Sequence, residues 1–502
     1  MKDAHDSKAL LRLGAACALA LGLAACGDDY SSTPPYSVNL VNPAVSSLLS
    51  AVDAIGVGGS DLLSHNPARA DLSLQSNLKG ATVSLRFSCT GCDITVSAAG
   101  NSVGANQYIA IPFPTLDAAS DASIVVTDKL SGATAQYTLH AKPLDYVRYS
   151  FTASAPQAGD LYLTPFDPQG YGAPYAYIVE AGGSLKYYYR NPRGRNIYDF
   201  KKSVLPGGAT RYSFYDSAAG AIRVMDGSFN LVENVSALAF PDGNTYAVNL
   251  HDHVILDDGH YILGVYAAKT VNNIPALPGQ SLFVGGSGLQ EIENGLAVFN
   301  WLTTDHPELY ACSTESNAFA QNSGADYAHW SSVHVDADGN WLASFRNLDA
   351  VLKIDRSSGA IRWILGGPCD QFTLTATQKF AHQHDARRAP DGRLSLFDNA
   401  NGGAASRVLA FNLDEVGKTL VAGNPVLPGF AEFSSDMHQS FNLGSAQMFA
   451  SGKVLVGWGE FSGLLNDVSE FDMASGAQSM QLVLLPSVYS NGYFSYRARK
   501  FP

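Results

Sequence analysis

The feature that most limits what this chain can fold into is a turn-plus-strand unit that recurs along its second half. Asp257-Asp258-Gly259 runs into His260-Tyr261-Ile262-Leu263, and Asp338-Gly339-Asn340 runs into Trp341-Leu342. Asp391-Gly392 runs into Arg393-Leu394-Ser395-Leu396, and Ser451-Gly452 into Lys453-Val454-Leu455-Val456. Each is a tight turn, where glycine supplies a backbone conformation other residues resist, feeding an apolar strand. The four glycines lie 80, 53 and 60 residues apart. Two of these intervals sit near the roughly 50-residue period of four-stranded propeller blades. The longest interval holds an insertion-like stretch, VNNIPALPGQSLFVGGSG. A second unit also repeats: Val351-Leu352-Lys353-Ile354-Asp355 before Ser358-Gly359, and Val468-Ser469-Glu470-Phe471-Asp472 before Ser475-Gly476. Long amphipathic helix patterns are scarce. The reading is all-β, with residues 147–502 forming a six-bladed β-propeller. Between 37 and 142 shorter alternating runs (ATVSLRF, ITVSAA, YIAIPF, ASIVVTD) are divided by Gly, Asn and Ser turns, which predicts a small β-sandwich.

The formal net charge of −13 argues against broad nucleic-acid binding, since phosphate contacts need Lys and Arg and no basic cluster offsets the balance. The N-terminus reads as a targeting segment. Lys2, Lys8 and Arg12 precede LGAACALALGLAA, too short to span a bilayer, and Leu23-Ala24-Ala25-Cys26 resembles a bacterial lipobox. That resemblance implies a signal peptide over 1–25, lipidation of Cys26 and a flexible tether over 26–36. Gly27 after the anchor favours the outer membrane, so the expected location is periplasmic, on a lipid anchor. Export places the body in an oxidising compartment, where disulfides are allowed. Beyond Cys17 and Cys26, four cysteines remain, Cys89, Cys92, Cys312 and Cys369, which admit three connectivities. The favoured one pairs Cys89 with Cys92 and Cys312 with Cys369. CTGC also matches redox or zinc motifs, but it has no second CxxC and no βαβ setting.

Three histidine-bearing segments lie at similar offsets upstream of the Asp-Gly turns: His251-Asp252-His253, Asp326-Tyr327-Ala328-His329 and His382-Gln383-His384-Asp385. Equivalent positions in successive blades point to one place, the mouth of the central channel. A single histidine is more often a strand cap, but three at matched positions favour a site. Arg346, one strand beyond His329, has a planar fork suited to an oxyanion; its structural alternative is a blade-to-blade ion pair. Tyr327, Trp330 and Phe380 flank the histidines, as an aromatic wall or as core. His251/His253 and His382/His384 are i, i+2 pairs, which share a face in a regular strand and make a zinc or copper hydrolase a competing reading. A non-catalytic, ligand-binding surface propeller is the other. Gly417-Lys418-Thr419 lacks the first glycine of a P-loop, and Gly285-Gly286-Ser287-Gly288-Leu289 is not a nucleophile elbow.

HDHVILDDGHYIL, AHWSSVHVDADGNWLASFRNLDAVLKIDRSSGAIRWILGG, FAHQHDARRAPDGRLSLFDNANG and GSAQMFASGKVLVGWG, in that order, resemble the bacterial arylsulfate sulfotransferase family. The resemblance covers most of residues 147–502. It implies an N-terminal β-sandwich before a six-bladed propeller. It also implies transfer of a sulfuryl group from a phenolic sulfate ester to a second phenol, ping-pong and without nucleotide sulfate or another cofactor. Residue by residue, it makes His384 the transient sulfohistidine, with His251, His329 and Arg346 around the sulfuryl oxygens. Ser331 departs from the pattern, standing where the family has Asn; its hydroxyl is the expected substrate contact there. His253 and His382 have no counterpart in it. The partners expected are the phenolic donor and acceptor and a membrane through the anchor, with a homodimer as the protein assembly allowed. Asp385 or a backbone carbonyl is the expected anchor of the His384 tautomer.

Overall fold

The computed structural model describes residues 54–58, 62–63, 70–315, 319, 324, 326–400, 405–421, 440–461 and 467–502. The expected signal peptide, Cys26 and the tether lie outside the described residues.

Two sheets are built from the first part of the chain. One orders Ala54–Gly58, Thr82–Ser88 and Tyr108–Pro112. The other orders Asp71–Ser73, Thr134–His140, Ala122–Asp128, Ile94–Ala98 and Asn101–Gly104. Alternation does the work here. Val83, Leu85 and Phe87 of the first sheet share one core with Ile94, Val96, Ile124, Val126, Tyr137 and Leu139 of the second, while the residues between them face outward. Cys89 and Cys92 are joined beside this core, and Cys312 is joined to Cys369 farther on.

Six further antiparallel sheets of three to five strands follow among the described residues, with two two-stranded sheets besides. Their innermost strands are Phe494–Phe501, Ile197–Val204, Ala247–Asp257, Trp330–Val335, His384–Arg388 and Ser445–Met448, for sheets one to six. Each innermost strand lies beside the next, and the sixth lies beside the first, so the strands close a ring. Separate apolar cores fill the seams between neighbouring sheets. One seam sets Ile262, Leu289 and Trp301 against Trp330, Val333 and Trp341; another sets Leu163, Tyr177 and Tyr188 against Leu455, Met480 and Leu482. Because a middle strand is covered on both faces, Tyr175–Val179, Ala350–Ile354 and Leu394–Asp398 are buried along their whole length and read as mainly apolar runs without strict alternation. The glycines of the recurring turns have φ of +71, +80, +86 and +83° at Gly259, Gly339, Gly392 and Gly452, each joining a first strand to a second.

Closure uses pairings that sequence order hides. The C-terminal strand Phe494–Phe501 pairs with Asp160–Phe166, and Tyr149–Ala153 completes the last sheet by pairing with Gln478–Leu484. Ser76–Leu78, inside the stretch assigned to the N-terminal unit, instead pairs with Tyr187–Tyr189 as the outer strand of sheet one. The expected insertion near residue 280 is a lengthened hairpin: Val271 pairs with Leu282, so His260–Val271 and Leu282–Glu293 simply run on.

Candidate active site

His251, His329 and His384 come from the innermost strands of sheets three, four and five or from the residue just before one. Their rings meet, with centroids 4.9 Å apart for His251 and His329 and 6.4 Å for His251 and His384. The strands do not deliver them by regular alternation. Register shifts between Val248 and His253, between Trp330 and Ser332, and between His384 and Arg387 mark a bulge in each inner strand at this level. His329, His382 and Asp385 take φ of +50, +52 and +60°. Such bulges and left-handed residues cost energy and re-aim side chains, and they recur beside functional sites.

Each of the three imidazoles is held through Nδ1. His384 Nδ1 donates to Asn399 Oδ1 at 2.7 Å, with the His382 carbonyl 3.1 Å away. His251 Nδ1 donates to Asn249 Oδ1 at 2.5 Å, and His329 Nδ1 to Asp326 Oδ2 at 2.6 Å. The Asn399 amide nitrogen donates to the carbonyls of Ser440 and Leu443 (3.0 and 2.9 Å), so the oxygen facing His384 only accepts. The lone pair of His384 is therefore on Nε2. Burial is the main force on its charge state. It drives the His384 pKa down to about 3, helped by Arg346, Arg497 and His329 and opposed by the Asn399 bond. Burial likewise takes His251 well below its ordinary value, with His329, His384, Arg497 and Arg346 adding to it. Both rings are neutral at neutral pH.

Arg346 begins a 3-10 turn after Trp341–Phe345, its backbone N–H donating to the His329 carbonyl at 2.8 Å. Its guanidinium donates to Asn347 Oδ1 (2.7 Å) and Asn442 Oδ1 (3.3 Å). Among the described residues no carboxylate lies within ion-pair distance of it, so the alternative of a blade-to-blade ion pair is not what the geometry contains. Beneath the histidines the same inner strands build a closed charge network. Asp199, Asp252 and Asp385, all fully buried, meet Lys201, Arg387, Arg497 and Arg499. Burial alone would raise Asp385, but Arg499, Arg387 and Arg497 outweigh it and hold the carboxyl well below the usual range. Four cations against three carboxylates leave this floor net positive.

Several expected contacts lie elsewhere. Tyr327 and Trp330 are fully buried in the seam between sheets three and four, and Phe380 is buried against Phe411 between sheets four and five. They are core, because inner-sheet aromatics fill the wedge between blades. The rings beside His251 are instead Tyr496, at 5.8 Å, and Tyr266, at 6.4 Å. The Ser331 hydroxyl does not reach the histidines as a free donor. It is buried against the Ser344 and Gln383 carbonyls, at 3.4 and 3.3 Å. The i, i+2 pairs also separate, since a bulge breaks two-residue periodicity. His253 Nε2 bonds Ser213 Oγ at 2.7 Å, away from His251, and His382 Nε2 lies 3.7 Å from Glu315. Among the described residues no group of three His, Cys, Asp or Glu side chains is arranged to hold a metal ion. Asp385, considered as the His384 anchor, faces Arg387 and Arg499 instead; Asn399 takes that role. Asn249, Asn399, Asn442 and Tyr496 carried no motif, and only the adjacency of Asn399 to the LSLFD strand hinted at one of them.

The sequence profile of a family described as Arylsulfotransferase (ASST) matches residues 219–479, just over half of the chain. No curated protein matches the chain. Among solved structures, a Bacteroides caccae protein of unknown function is 12% identical, covering 68% of this chain and 98% of its own with a TM-score of 0.41. A catalytically inactive virginiamycin B lyase from Staphylococcus aureus is 11% identical over 67% of this chain and 100% of its own, with a TM-score of 0.24. A puromycin hydrolase mutant is 12% identical over 65% and 53%, with a TM-score of 0.34. Likeness at that level carries no functional argument.

Proposed function

Because the chain belongs to the arylsulfotransferase family, we propose that it moves a sulfuryl group from an aryl sulfate to a second phenol through a sulfated His384. The observation that carries this reading is the convergence of three imidazoles, each tied through Nδ1, beside an arginine that has no carboxylate within ion-pair distance among the described residues. A neutral imidazole needs no prior deprotonation, so the His384 Nε2 lone pair attacks sulfur directly. The N–S bond forms as the S–O(aryl) bond breaks, and the bonding pair leaves on the phenol oxygen. Arg346 and the net positive floor stabilise charge on the sulfuryl oxygens. His329, in its imidazolium form with Nδ1–H held by the Asp326 carboxylate, gives its Nε2 proton to the departing phenolate, and the neutral ring so formed takes a proton from the incoming phenol in the second half-reaction. His251 completes the wall. The six sheets act as propeller blades around this channel, with the N-terminal sheets as a sandwich beside them. Export and attachment through Cys26 belong to the same proposal and rest on the leader sequence.

The test is a chromogenic aryl sulfate with and without an added phenol, followed by peptide mapping of the quenched enzyme. Acceptor-dependent release and a sulfuryl adduct on His384 are expected, and both are lost in H384A with the fold intact. Release to water in the absence of acceptor would indicate a hydrolase, and no release a binding protein; either outcome overturns the proposal.

A further inference from the structure

We infer that Asn399 is the positioning residue of this site: its neutral amide, locked in one orientation, presents His384 with the lone pair on Nε2. The inference rests on the sulfohistidine reading and adds to it the element that prepares the nucleophile. Asn399 follows the strand Leu394–Asp398 and is fully buried. Both hydrogens of its amide nitrogen are engaged, by the Ser440 and Leu443 carbonyls. A rotated amide would set its oxygen against two carbonyl oxygens, so the flip is disfavoured and Oδ1 is left to accept from His384 Nδ1. The His382 carbonyl, the second neighbour of Nδ1, is also an acceptor only. Both neighbours therefore demand Nδ1–H.

The same segment reaches the arginine. Ser440–Asn442 is a short strand, Leu443 follows it at φ +67°, and Asn442 Oδ1 accepts from Arg346. One stretch thus orients the nucleophile through Asn399 and the sulfuryl-binding group directly. The charge of the anchor matters as much as its shape. Among the described residues, the groups that act most strongly on His384 besides Asn399 are Arg346, Arg497 and His329, with the His251 ring alongside. His329 has a carboxylate behind its Nδ1, whereas His384 has an amide. An amide fixes the tautomer while stabilising an imidazolium, which has no lone pair with which to attack sulfur, less than an anionic carboxylate would. The attack written above, Nε2 to sulfur with the electron pair departing on the aryl oxygen, requires that tautomer in the resting enzyme.

The test begins with the wild-type protein, in which imidazole nitrogen shifts report which nitrogen of His384 carries hydrogen. Protonation at Nδ1 is expected; protonation at Nε2 overturns the inference without any variant. N399A is then examined by rapid quench for the His384 adduct, and its formation should slow by up to about 10⁴-fold, the loss seen when a catalytic histidine is left in the wrong tautomer. N399D keeps an acceptor but makes it anionic, so its rate should fall on acidification at a pH at least one unit above the wild-type limb. Wild-type adduct rates in N399A, or an acidic limb unmoved in N399D, would contradict the assignment. Failure of wild-type enzyme to form any adduct on His384 would instead refute the sulfohistidine reading itself.

Discussion

Replacing Asp385 by Asn tests how the buried charges beneath the histidines are held together. Asp385 Oδ1 accepts from Arg387 Nε at 2.8 Å and from Arg499, while Oδ2 accepts the Ala446 backbone N–H at 3.1 Å. An amide cannot do both. With its oxygen toward the arginines, its NH₂ confronts the Ala446 N–H; flipped, it points two donors at two guanidinium groups. Arg387 retains Asp252 at 2.5 Å, but no other carboxylate is in ion-pair contact with Arg499 among the described residues. One buried cation is thus left uncompensated, for which about 3–5 kcal/mol is the usual loss. That is a large part of the roughly 5–15 kcal/mol that stabilises a typical domain. Urea unfolding followed by intrinsic fluorescence should show the midpoint falling at unchanged slope. Adding Arg499→Met should recover part of the loss, because the second change removes the orphaned charge. The pH dependence has a defined sign. The folded pKa of Asp385 is depressed, so its contribution is present above the unfolded value near 4 and is lost as pH falls below that. D385N should therefore be less stable at pH 7 yet lose less on acidification. A loss under about 1 kcal/mol at pH 7, with unchanged acid sensitivity, would refute the view that this network is interdependent.

Two further outcomes are expected. Arg346→Ala should lower kcat/KM for aryl sulfates by about 10²–10³-fold, the range for losing one oxyanion donor, and unchanged kinetics would remove Arg346 from the site. Gly264→Ala places a methyl carbon 2.0 Å from Cζ3 of the buried Trp330 ring, which must move; about 1–3 kcal/mol of stability should be lost, with reduced turnover because His329 precedes that tryptophan. A variant within 0.5 kcal/mol of the parent by urea unfolding would show that the seam yields more easily than close packing allows.

What the sequence determined alone was the local content: strands, turns and the residue types able to do chemistry. The glycines at 259, 339, 392 and 452 mark turns because only a residue without Cβ enters those backbone angles cheaply. Runs such as LSLFD signal strands covered on both faces. The histidines at 251, 329 and 384 could be singled out because their spacing from those turns repeats. Tertiary structure decided where each side chain faces and what it pairs with. A bulge cannot be read from composition, and the three extra residues that the strand carries between Val248 and His253 send His251 toward His329 and His384 but His253 toward Ser213. Trp330 and Phe380 are core and Tyr496 adjoins the site for the same reason: the wedge between sheets must be filled, and only the assembled ring says which rings fill it. Asn399 meets His384, the Ser440 and Leu443 carbonyls meet Asn399, and Phe494–Phe501 meets Asp160–Phe166. Those are long-range contacts, created when the ring closes, and no local pattern encodes them.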